Sequence, residues 1–229
     1  MIRLQLQKER LSAFVVHDLK NPVNTLDLHA QLLLKTPNLP PSARESVQHI
    51  REEARSLLRL ILNLLDISKS EQARLTPRFA DLDLEVLTNE IAEAFALRMQ
   101  ATHLTLERRI EARQLRADPD LVRRVIENLL DNAIRHSPAG STLHLSSERE
   151  NAATLIRIAD EGRGIPERER ERIFEPFVQG GIGDALVART GRGLGLAFCR
   201  IALEAHGGSV WVEDARPGAA FCVRFPDGS

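Results

Sequence analysis

The sequence predicts an antiparallel α-helical hairpin over residues 1–76, pairing with a second copy as a dimeric four-helix bundle, followed by an α/β sandwich over residues 77–229. Three observations carry this. The first third repeats apolar residues at helical spacing around one proline-rich turn. The second stretch of that pattern is apolar over a wider arc than one hairpin can cover. Beyond Pro77 the pattern changes to short strands alternating with helices.

The first helix is expected over Ile2–Lys35, with Leu11, Val15, Leu19, Pro22, Leu26 and Leu33 along one side and a kink at Pro22. Thr36–Ser42, with three prolines, makes the turn. Ser42 can cap the next helix, and Glu45 three residues later completes a capping box. Val47, Ile50, Ala54, Leu57, Ile61, Leu64 and Ser68 then alternate three and four apart, as one coiled-coil seam. Leu58, Leu60, Leu62 and Leu65 widen the arc.

In the second part, helices are expected over Leu84–Gln100, Pro119–His136, a short piece near Glu167–Ile173, and Arg192–His206. Strands are expected over Leu104–Ile110, Thr142–Glu148, Thr154–Asp160, Ser209–Glu213 and Ala219–Phe225.

Charge narrows the partners. Lys and Arg total 31 against 32 Asp and Glu, so no global positive field draws in nucleic acid or an anionic membrane. A protein or small-molecule partner is expected instead. Cys199 and Cys222 show neither metal-ligand spacing nor a disulfide framework, which fits a reducing cytoplasm. The most apolar stretch, Leu57–Ile67, is interrupted by Arg59, Asn63 and Asp66 and is too short to span a bilayer. Met1–Arg10 holds no apolar signal core and reads as a charged helix that starts abruptly, so an upstream sensor module is expected.

His17 lies two residues from both Val15 and Leu19, which turns it about 200° from each around the helix. It therefore faces out, with Asp18 adjacent and Asn21 one turn further along the same surface. An exposed imidazole beside a carboxylate is a candidate nucleophile toward phosphorus, and a solvated surface histidine is the plain alternative. On the helix ending at His136, Asn128, Asn132 and Arg135 share a face opposite Val122, Val125, Ile126, Leu129 and Ala133. Amide oxygens there can hold magnesium, and the guanidinium can meet phosphate.

Read whole, Phe14-Val15-Val16-His17-Asp18-Leu19-Lys20-Asn21-Pro22 resembles the phosphoacceptor box of sensor histidine kinases. Four further segments follow in that family's order. Glu127–Ser137 resembles the asparagine box, Asp160-Glu161-Gly162-Arg163-Gly164-Ile165-Pro166 the first glycine box, Arg172–Phe177 the phenylalanine box, and Gly191-Arg192-Gly193-Leu194-Gly195-Leu196 the second glycine box. His206-Gly207-Gly208 closes the last helix as the family does. Departures are Arg135 where Lys is usual, His136 where an aromatic is usual, and Glu161 where Asn or Thr is common.

The resemblance implies a fold of the GHKL (Bergerat) ATPase type for the second part, with ATP and Mg2+ as cofactors. It implies that His17 takes the phosphoryl group, Asp18 assists as base, and Asn21 positions water for dephosphorylating the partner. It implies that Asn128 and Asn132 hold the metal, Asp160 accepts the adenine amino group, and Arg135 and His136 line the nucleotide. Gly162, Gly164, Ile165, Phe177, Gly191, Arg192, Gly193, Leu194, Gly195 and Leu196 complete that pocket, with Val178–Thr190 as a lid. The partners implied are a response-regulator receiver domain and a second copy of the chain. A degenerate, non-catalytic dimeric scaffold that binds regulators is the alternative.

Overall fold

The computed structural model describes residues 19–70, 75–178 and 193–227; for residues 52, 56, 59, 60 and 64–70 it describes the backbone alone. The chain forms two compact units that meet between Arg74 and Leu75.

In the first unit, α1 (residues 19–34) and α2 (Pro41–Ser70) make the hairpin. Amides of Lys35 and Thr36 bond three residues back to Leu32 and Leu33, tightening the end of α1. Arg44 reaches back to the Leu34 carbonyl at 3.0 Å, so α2 caps α1. The expected cap at Ser42 is not made. The Arg44 amide bonds the Pro40 carbonyl, which starts α2 at Pro41 and leaves Ser42 inside the helix. Proline at the first helical position needs no amide donor, and that preference prevails over the serine. Asp27 of α1 receives Arg51 and Arg55 of α2 at 3.3 and 2.9 Å, holding the helices antiparallel.

The single seam expected on α2 is two rows. Ala54 and Ile61 are buried against Val23 and Leu58 within the hairpin, with Val47 half-buried in the same row. Ile50 and Leu57, in the other row, are 53% and 37% exposed. A straight α-helix turns 100° per residue, so positions three or four apart diverge and one partner helix covers only one row.

The second unit pairs β1 (Ala80–Asp83) antiparallel with β3 (Gln114–Ala117) as a two-stranded sheet. A five-stranded sheet runs in the order β2 (Thr105–Ile110), β4 (Thr142–Arg149), β5 (Ala153–Ala159), β7 (Ala219–Pro226), β6 (Ser209–Asp214). The β2–β4 pair is parallel and the rest antiparallel. Helices α3 (Leu84–Ala101), α4 (Pro119–His136) and α5 (Gly195–Ala205) pack on this sheet. The core includes Ile91 and Phe95 of α3, Val122, Ile126, Leu129 and Ala133 of α4, Phe198 and Leu203 of α5, and Ile156, Ile158, Phe221 and Val223 of the sheet. Each fully buried aliphatic side chain there contributes roughly 1.5–3 kcal/mol.

Three elements of the second unit differ from expectation. Strands β1 and β3 were not foreseen, because Ala-Asp-Leu-Asp and Gln-Leu-Arg-Ala are too short and too charged to show alternation. The short helix near Glu167–Ile173 is instead two 3-10 turns, Glu167–Glu169 and Arg172–Phe174. Among the described residues no helix is long and apolar enough to cross a membrane.

Candidate nucleotide site

Asp160 follows β5 and is 4% exposed. Its Oδ1 accepts the Gly162 amide at 2.8 Å and the Ala219 amide at 3.2 Å. Burial raises the carboxyl above its ordinary value, and these two amides pull it back down. Among the described residues none donates to Oδ2, so the acid is oriented by main chain with one oxygen left for a ligand.

Close backbone contacts build the walls. A Cβ on Gly162 would lie 2.6 Å from the His136 carbonyl oxygen, so the loop after Asp160 abuts the end of α4. Gly218, in the β6–β7 turn at φ 94°, approaches more closely: a Cβ there would sit 1.8 Å from the Asp160 carbonyl oxygen. Gly218 and Ala219 escaped the sequence reading. Pro217-Gly218 signals a turn between strands, but nothing local says that this turn supports Asp160 from a distant part of the chain.

On α4, Asn128 and Asn132 are both half-buried. The Asn128 side-chain oxygen lies against the first residue of α5, where a Cβ on Gly195 would come within 3.2 Å of it. The helix starts here differ in kind. Asp83 caps α3 by accepting the Glu85 and Val86 amides, and Asp118 caps α4 by accepting those of Asp120 and Leu121. Helix α5 follows Leu194 and has no side-chain cap. Among the described residues no side chain caps its first amides, Gly195 lies beside Asn128, and an anion suits that place.

Arg135 is held within its own helix. Its guanidinium bonds Asp131 at 2.5 Å, and Asp131 is also held by Arg98 of α3. A carboxylate one helical turn back holds the guanidinium. His136 is half-buried, and burial, then Arg135, then Arg163 push its imidazole below the ordinary value, against a smaller opposing pull from Asp131. The ring is thus neutral at pH 7.

The side chains of Leu194 and Leu196 turn inward, Leu194 buried and Leu196 against the core, as does half-buried Ile165. Phe177 is 70% exposed at φ 65°, and its amide donates to the Gly193 carbonyl at 3.0 Å. A Cβ on Gly193 would fall within 2.9 Å of the Phe177 Cα, so the two boxes touch. A Cβ on Gly164 would meet the Gly218 carbonyl oxygen at 3.2 Å. Apart from Val178, the expected lid over Val178–Thr190 lies outside the described residues, as do Gly191, Arg192, His17 and Asp18. Asn21 lies exposed on α1, its carbonyl accepting the Thr25 hydroxyl at 3.0 Å.

Two family descriptions match the chain in sequence order. Residues 7–73 match the His Kinase A (phospho-acceptor) domain, and residues 117–229 match the histidine kinase-, DNA gyrase B- and HSP90-like ATPase. The alginate biosynthesis sensor protein KinB of Pseudomonas aeruginosa is 34% identical over 92% of this chain and 35% of its own length. The adaptive-response sensory kinase SasA of Synechococcus sp. (strain JA-3-3Ab) is 32% identical over 98% of this chain and 61% of its own. The chain thus spans from about a third to about three fifths of these curated relatives. The crystal structure of full-length ShkA in complex with AMPPNP superposes with a TM-score of 0.70 at 28% identity, over 95% of this chain and 45% of that one. A helical phosphoacceptor segment joined to an ATPase domain of this fold, matched along nearly its whole length by sensor kinases, makes this chain a member of the sensor histidine kinase family.

Proposed function

We propose that the chain is an ATP-dependent protein-histidine kinase that phosphorylates His17 and passes the phosphoryl group to an aspartate of a response-regulator receiver domain. The observation that carries the nucleotide part is the uncapped start of α5 beside Asn128, in a unit whose two other long helices are each capped by an aspartate. Phosphate oxygens fill that place as a capping carboxylate would. Asp160 accepts the adenine amino group on Oδ2, and the neutral His136 ring borders the nucleotide. Arg135 exchanges Asp131 for phosphate when the nucleotide arrives.

Among the described residues no cluster of three acidic, histidine or cysteine side chains could hold a metal alone. That fits magnesium, which keeps waters and takes only one or two protein ligands when phosphates supply the rest. Asn128 and Asn132 would hold it, and its charge would offset that of the phosphates. In the first reaction an imidazole nitrogen of His17 forms a bond to the terminal phosphorus as the bond to ADP breaks, with Asp18 taking the ring proton. In the second, the regulator carboxylate attacks that phosphorus and the imidazole leaves. Two copies of the chain pair through the hairpin.

The test is incubation with γ-labelled ATP and magnesium. Label on the protein should be acid-labile and alkali-stable, and absent from His17→Ala, while ADP affinity of that variant stays within about twofold of the parent. Labelling of His17→Ala would refute the assignment.

A further inference from the structure

Away from the pocket, one buried imidazole has both ring nitrogens engaged by main chain. His206 directly follows α5 and is 7% exposed. Its Nδ1 lies 2.7 Å from the Ala202 carbonyl oxygen, and its Nε2 accepts the Asp118 amide at 3.0 Å. A carbonyl can only accept and an amide can only donate, so the ring is neutral with its proton on Nδ1. Asp118 is the cap of α4, and its other carboxylate oxygen receives the Arg78 amide at 2.8 Å. The rings of Phe79 and Phe225 meet the imidazole edge-on at 5.4 and 5.5 Å. Four separate segments converge on this side chain.

Helices α4 and α5 lie side by side and antiparallel, with Arg124 stacked 3.9 Å over the Phe198 ring between them. They touch along their length: His206 against Asp118 at the start of α4, the Cys199 thiol 3.8 Å from the Val125 carbonyl, and Gly195 against Asn128 midway along α4. At about 1.5 Å per residue the first and last of these contacts are about 15 Å apart along α4 and about 17 Å apart along α5. The spans match, so the two helices run in register, and the hydrogen bond from Asp118 to His206 fixes that register at one end. Without it only side-chain packing sets how far α4 sits along α5.

We infer that His206 is a positioning residue for nucleotide binding, whose neutral ring pins the first turn of α4 to the end of α5 and so holds Asn128 and Asn132 at a fixed distance from the uncapped start of α5. This rests on the reading of that start as the phosphate site. Protonation undoes the fastening, because Nε2 then becomes a donor facing the Asp118 donor. The charged group facing the ring is the Asp118 carboxylate; its other neighbours are the two phenylalanine rings and the Ala202 carbonyl.

The experiment is ADP titration calorimetry on the whole chain, for the parent, His206→Gln and His206→Leu. The glutamine amide oxygen can accept from the Asp118 amide, whereas leucine fills the space and leaves that amide buried without an acceptor. His206→Leu should lose about tenfold in affinity, and His206→Gln should stay within about threefold of the parent. Equal affinities for all three, or a glutamine variant as weak as the leucine one, overturns the inference. A parent that binds no ADP overturns the nucleotide reading itself, and this inference with it. Should His206→Leu not fold, pH decides: from pH 8 to pH 6 the parent should lose ADP affinity more steeply than His206→Gln. Superimposed profiles overturn the inference, because His136 is present in both and cancels.

Discussion

The helical hairpin and the α/β unit solve the burial of apolar surface in different ways. Inside the hairpin, Val23, Ala30, Ala54 and Ile61 are buried, while Leu19, Leu26, Leu28, Leu32, Leu33, Ile50 and Leu57 stand between 37% and 54% exposed. The α/β unit buries most of its large side chains, with Ile91, Ile126, Leu129, Leu130, Phe198 and Phe221 at 0%, and leaves only Phe79, Val86, Leu97 and Phe177 among its described large hydrophobics between 49% and 70% exposed. One unit has a complete core. The other presents heptad-spaced leucines at 19, 26 and 33, with Ile50 and Leu57 seven apart on the second helix, to something outside itself. A site that must hold a nucleotide needs the rigidity of a packed core, whereas a surface that pairs with another chain must leave its seam open.

The largest effect should come from breaking the rigid side of this contrast. Gly218→Val puts a side chain where even a Cβ would lie 1.8 Å from the Asp160 carbonyl, at a backbone angle that branched residues avoid. Nucleotide affinity should fall by more than about a hundredfold, since Asp160 would lose the Ala219 amide that orients it. Calorimetry with ADP reads the loss, and circular dichroism should show the helices intact. Near-parent affinity would mean that Asp160 is not set by this turn.

Breaking the open side should separate two positions that the sequence places in one seam. Leu57→Asp puts a charge on the outward row, so it should weaken the dimer by at least about tenfold while the hairpin stays helical. Ile61→Asp buries an unpaired carboxylate inside one hairpin, and that should melt the hairpin itself. Light scattering with circular dichroism distinguishes the outcomes. The comparison fails if both variants behave alike.

Acidity sharpens the contrast more gently, because the two histidines with lowered values both belong to the α/β unit. Burial is the first cause for each. The unfolded chain binds their protons at a higher pH than the folded one does, so stability is fully present above the ordinary value of about 6.5 and falls as pH drops through and below it. Each histidine contributes a slope of at most about 1.4 kcal/mol per pH unit. Asp160 acts oppositely at lower pH, since its raised value lets the folded state hold a proton first. Urea melts of the parent and His206→Gln between pH 8 and pH 5.5 should show a shallower decline in the variant.

The smallest effect on phosphorylation should come from Asn21→Ala, on the exposed surface of α1. No proton passes through position 21 when His17 attacks ATP, so labelling should be retained. Loss of phosphate from a phosphorylated regulator should slow severalfold or more, because the amide can offer a donor and an acceptor to the attacking water. Equal rates for variant and parent would remove that role.

Periodicity located the hairpin and every long helix of the α/β unit, because an amphipathic stripe is a local property that survives in linear order. The asparagine box was legible for the same reason: Asn128 and Asn132 are one turn apart on a face opposite Leu129 and Ala133, wherever that helix packs. Strands β1 and β3 were not legible, since four residues cannot show a period and their pairing joins Ala80 to Ala117 across a whole helix and strand.

By itself, then, the sequence determined where the candidate residue types fall, since His17, Asn128, Asp160 and the glycine-rich entry to α5 are local choices of residue type at local spacing. Only the tertiary structure decided how they are held. It assigned Ile61 to the inside of a hairpin and Leu57 to its outside, gave Arg135 to Asp131, set Gly218 beneath Asp160, and bonded α4 to α5 through His206. Except for the pairing of Arg135 with Asp131 one turn away, these relations join residues far apart along the chain, 88 positions in the hydrogen bond from Asp118 to His206, and no periodicity encodes which distant partner will fill the last few ångströms.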